Sequence, residues 1–106
     1  MKLPERYRAG LIDNLPARMI PGLIRYIEDG ILPGDFLQAI LRNDLKEACA
    51  HADDENQGLI FQYVFALHNY APSACWGSPA HVADWIEQRT LERTGGTSEE
   101  AKEALL

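Results

Sequence analysis

Apolar residues in this chain recur at spacings of three and four, and nowhere over a useful length do they alternate with polar ones. Spacing of three or four gathers side chains on one side of an α-helix, whereas a half-buried strand needs a period of two. Proline and glycine then cut the pattern into short pieces, at Pro4, Pro16, Pro21, Gly30, Pro33-Gly34, Pro72, Gly77, Pro79 and Gly95-Gly96. Helix interiors tolerate neither residue well, so these positions mark starts, stops and corners. The expected fold is all-α, a compact bundle of about four to five helices with a kinked N-terminal helix and a Pro-Gly corner.

The pieces read in order as one domain covering residues 1–106. Residues 1–15 form a helical arm, with Pro4 in its first turn and Leu11, Ile12 and Leu15 on one side. The core spans residues 16–93. Its first helix carries Ile20, Leu23, Ile24 and Ile27 and stops at Gly30, and the arm and this helix are expected to form one kinked rod. After the Pro33-Gly34 corner, Phe36, Leu37, Ile40, Leu41, Leu45, Ala48, Cys49 and Ala52 predict one continuous helix from Asp35 to Ala52. Asp53 or Asp54 caps the next, which runs to about Ala71. Its residues Leu59, Ile60, Phe61, Tyr63, Val64, Phe65 and Leu67 cover almost the whole circumference, so this helix is either central or part of an interface. Ser78 and Pro79 open the last core helix, with Val82, Trp85 and Ile86 facing inward. Residues 94–106, with a capping box at Thr97 and Glu100, make a terminal arm expected to fray.

Composition excludes several classes of function. A chain of 106 residues buries about two-thirds of its unfolded surface, so self-association would help it. A net charge of −6 repels long nucleic acids, although a few converging arginines can still hold a compact anion. Two cysteines are too few for a disulfide scaffold, and no leader pattern opens the chain, so a reducing cytoplasm is the expected location. No apolar run approaches the roughly 20 residues that span a bilayer.

Catalytic patterns are largely missing. Ser73-Ala74-Cys75-Trp76 partly echoes a papain-like nucleophile, but the preceding cysteine and glycine and a distant histidine are absent, and Cys75 and Trp76 read as loop packing. Cys49, His51, His68 and Cys75 lack the paired spacing of zinc ligands. Asp53, Asp54 and Glu55 are explained by capping. No phosphate loop or dinucleotide fingerprint occurs, and no cofactor or metal is expected. The residues left for a binding role are Arg25, Tyr26, Arg42, Asn43 and Lys46, which flank the Pro-Gly corner. An aromatic ring can stack on a base while arginine and lysine bind phosphate, so the set suits a nucleotide-like anion as well as it suits a solvated helix face.

Six phrases carry a resemblance: Arg25-Tyr26-Ile27-Glu28-Asp29-Gly30, Pro33-Gly34-Asp35-Phe36-Leu37, Asn43-Asp44-Leu45, Ala52-Asp53-Asp54-Glu55-Asn56, Ala71-Pro72-Ser73 and Trp76-Gly77-Ser78-Pro79. Over residues 18–88 the chain resembles a family of small tailed-phage proteins that includes the anti-CBASS sponges, which sequester the cyclic oligonucleotide messengers of bacterial immunity. The resemblance implies a non-catalytic homo-oligomer, a hexamer, in the host cytoplasm, with pockets between protomers for cyclic dinucleotides and separate ones for cyclic trinucleotides. It implies that Tyr26 stacks on a base and that the phosphate contact falls near Arg42 or Lys46.

Two other readings compete with sequestration. One is a phage protein-interaction module that binds and inhibits a host protein through the apolar helix around Leu59 to Leu67. The other is a small hydrolase of the same messengers using Asp53, Asp54, His51 or His68.

Overall fold

In the computed structural model, which describes residues 1–95, seven α-helices follow one another with two 3-10 turns, and no strand occurs among the described residues. The all-α expectation holds, with more and shorter helices than the four to five expected. Expectations about residues 96–106, including the capping box at Thr97, lie outside the described residues.

Helix α1 (Glu5–Asn14) starts behind Pro4 and ends where Leu15 and Pro16 become extended. A 3-10 turn over Ala17–Met19 leads into α2 (Ile20–Asp29), so the arm and α2 are two helices separated by extended chain. Gly30 closes α2 in the left-handed region at φ 72°, as its C-terminal position demands. Three of the carbonyls at that end find donors. Gly30 N–H donates to Tyr26 O, Trp85 Nε1 donates to Ile27 O at 3.0 Å, and the Met1 amine donates to Glu28 O at 2.9 Å.

The continuous helix expected from Asp35 to Ala52 is corrected to two: α3 (Asp35–Leu41) and α4 (Leu45–His51). Asn43 takes φ 61°, its N–H donates to Ile40 O, and Asp44 N–H reaches back to Ala39 O at 2.9 Å. This is a left-handed helix stop. Asp44 then caps α4 by accepting from Glu47 N–H. The turn re-aims the chain, so Leu45 and Cys49, expected in the buried stripe, are exposed, and only Ala48 of α4 is buried.

The next expected helix also divides. Asp53 accepts from Asn56 N–H at 2.9 Å and caps the single turn α5 (Asp54–Gln57), and after Gly58 the chain restarts as α6 (Ile60–Tyr70). Beyond Pro72, a 3-10 turn over Ser73–Cys75 leads to Ser78, which caps α7 (Pro79–Thr94) by accepting from His81 N–H.

The core lies where α1, α2, α3, α6 and α7 converge on Leu11, Leu23, Tyr26, Ile27, Leu41, Tyr63, Leu67, Cys75 and Val82. Helix α1 packs mainly on α6 and α7 on α2. Gly10 permits the first of these contacts, because a Cβ there would collide with the Tyr70 ring.

Candidate functional site

Adjacent residues on a helix point about 100° apart, so Arg25 and Tyr26 cannot share an outward face. Arg25 is exposed, whereas Tyr26 is 0% exposed and its hydroxyl donates to Cys75 O at 2.7 Å. Burial pushes the Tyr26 hydroxyl well above the ordinary phenol range and the Cys75 thiol up to about 12. Tyr26 therefore joins α2 to the Ser73–Cys75 turn, and within this chain no face of its ring reaches solvent. The Cys75 thiol is sealed and protonated, consistent with loop packing rather than nucleophilic chemistry.

The other candidates lie at the α3–α4 corner. Arg42 lies half-buried at the end of α3, its Nη1 donating to Gln38 Oε1 at 2.9 Å. It borders a polar groove of about 140 Å³ shared with Asp35, Gln38, Asp44, Glu47 and His51. Three carboxylates face one guanidinium there, a balance that repels a doubly charged anion. Asn43 serves the helix stop through its backbone, and Lys46 is exposed on α4.

Of the hydrolase candidates, Asp54 and His68 are exposed, and Asp53 and His51 are engaged by neighbours. Asp53 accepts from Asn56 N–H and from the Arg18 guanidinium at 2.7 Å, contacts that hold its carboxyl below the usual range, the Asn56 N–H most of all. Arg18 also binds Glu55 at 2.9 Å. His51 meets Glu47 at 3.3 Å on the same helix. Among the described residues, no group of three or more His, Cys, Asp and Glu side chains is placed to hold a metal ion, and no helix is long and apolar enough to cross a membrane.

The feature with the clearest geometry is α6. Its residues Tyr63, Ala66 and Leu67 are each 0% exposed, and the Tyr63 ring meets Phe36 edge-on at 5.1 Å. The Tyr63 hydroxyl donates to buried Asn56 Oδ1 at 2.7 Å, and burial pushes it up to about 12. The opposite stripe, Phe61, Val64 and Phe65, is 73%, 39% and 41% exposed, although all three are apolar. Phe61 and Phe65 stack with centroids 6.4 Å apart. Val64 also lines a shallow slot of about 30 Å³ with Ile40, Leu45, Ala48 and Ile60, and Leu45 at its mouth is 64% exposed. Helices α4 and α6 thus present one continuous apolar surface. Helix α6 contains no Asp, Glu, Lys or Arg, so the surface carries no fixed charge of its own within a chain of net charge −6.

The near-complete apolar circumference of α6 was visible in the sequence. Leu45 was not, because its exposure depends on the stop at Asn43; the overlooked signal was Asn43-Asp44 followed by Glu47, a left-handed residue, a cap and an acidic third position. The chain matches no family model, no curated protein and no solved structure.

Proposed function

We propose that this protein is a non-catalytic interaction module that docks a protein partner on the outer face of α6. The observation that carries the reading is the stacked, exposed pair Phe61 and Phe65, continuous through Val64 with Leu45. A chain of this size gains stability by burying such residues, and a contiguous apolar patch on the surface is a common mark of a contact site. In the phage setting that the resemblance implies, the partner is a host protein that the module occupies and inhibits. Sequestration of cyclic oligonucleotides draws less support from the geometry, since its stacking residue Tyr26 is enclosed within the chain and the groove beside Arg42 is lined by three carboxylates.

Gentle purification of tagged wild type and Phe61→Ser from the same cells tests the proposal. The wild type retains a protein at fixed stoichiometry and Phe61→Ser loses it, while both unfold at the same urea concentration. Retention by the serine variant would contradict the docking site. Calorimetry with a panel of cyclic dinucleotides and trinucleotides covers the competing function; micromolar binding that survives Phe61→Ser would replace this reading with sequestration.

A further inference from the structure

Two grooves meet at the corner between α3 and α4, and they share Ala39 and Asp44. One is the apolar slot of Ile40, Leu45, Ala48, Ile60 and Val64. The other is the polar groove that holds Asp35, Asp44 and Glu47 against the single guanidinium of Arg42. An occupant that follows the apolar surface from Phe61 through Val64 to Leu45 therefore arrives beside carboxylates. Glu47 and His51 are solvent-exposed and only loosely engaged with one another, at 3.3 Å, so the acidic side stays hydrated and open to an incoming cation.

Resting on the docking function above, we infer that the occupant is a basic amphipathic helix of another protein, with apolar residues at helical spacing on the Phe61 surface and Lys or Arg over Asp35, Asp44 and Glu47. Helix-in-groove recognition uses such a stripe of anchors, and opposite charge at the rim speeds encounter and fixes orientation. The net charge of −6 acts in the same sense at longer range. A second copy of this chain is a poorer occupant. In a two-fold contact the same surface is its own partner, and the groove lining that Asp35, Asp44 and Glu47 would then meet offers one guanidinium, Arg42, to three carboxylates.

The test uses two designed helical peptides of identical leucine pattern, one with lysine and one with glutamate on the polar face, each carrying a fluorescent label. Anisotropy against the full chain should show the lysine peptide binding at least about tenfold more tightly, weakening as salt rises. Phe61→Ser should weaken that binding by about tenfold or more, and Glu47→Lys by about two- to fivefold. Equal binding of both peptides, or lysine-peptide binding that Phe61→Ser leaves intact, overturns the inference about charge or about place. If neither peptide binds and sedimentation shows a dimer that Phe61→Ser dissolves, the occupant is a second copy and the inference is wrong. If neither binds and the chain sediments as a monomer, the basic helix is likewise excluded, while the co-purification experiment still decides the docking function separately.

Discussion

Tyr26 and Asn43 were both candidate ligand contacts, and each has a defined part in holding the backbone. Tyr26 fills the centre of the core and satisfies the Cys75 carbonyl. Tyr26→Phe leaves that acceptor unmet and should cost about 1–2 kcal/mol in urea unfolding, whereas Tyr26→Ala should cost about 3–5 kcal/mol. Neither figure would be expected of a surface residue waiting for a base. Asn43, at φ 61°, holds the α3–α4 stop. Asn43→Gly should change stability by no more than about 0.5 kcal/mol and Asn43→Ala should lower it by about 1 kcal/mol, because only the side chain with a Cβ and no local hydrogen-bonding capacity is penalised there. Equal effects of the two substitutions would remove the case for a backbone role.

At the scale of elements, two helical glycines make opposite predictions. A Cβ on Gly10 would meet the Tyr70 ring where α1 crosses α6, so Gly10→Ala should destabilise by about 1–3 kcal/mol through overpacking. Nothing lies within 4 Å of a Cβ placed on Gly22 in α2, and Gly22→Ala should stabilise by about 0.5–1 kcal/mol through the more restricted unfolded chain. Midpoint shifts at constant denaturant slope would verify both. Element starts and stops set by Pro4, Gly30, Pro72, Ser78 and Pro79 were legible, since each acts through its own backbone chemistry. The breaks at Asn43 and Gly58 were not, because the apolar spacing runs across them and a period alone cannot tell one bent helix from two.

For the whole molecule, Tyr26, Tyr63 and Cys75 lie protonated in one core, with Tyr63 and Cys75 raised by burial from 10.0 and 9.0 to about 12. Each contribution is complete below the unfolded group's ordinary value. As pH climbs past 9.0 the unfolded chain sheds these protons first, so stability falls progressively toward 12, by about 1.4 kcal/mol per pH unit for each group titrating. Urea titrations below and above that threshold would reveal the slope, and a level profile would mean these groups are wetter than their burial indicates. The all-α class was readable from periodicity, but which side of α6 stays outside depends on contacts from α1 and α3 that no local pattern encodes.

The proposed docking function requires the outer stripe of α6 to be covered by another protein in the cell. Replacing Phe61 with a photo-reactive phenylalanine analogue, irradiating producing cells and weighing the adducts addresses this directly. A single discrete adduct at position 61, absent when the same analogue stands at exposed His81 on α7 and abolished by Val64→Asp, is the expected result. No adduct, or a smear of equal intensity at both positions, would mean that the surface meets only solvent and chance neighbours.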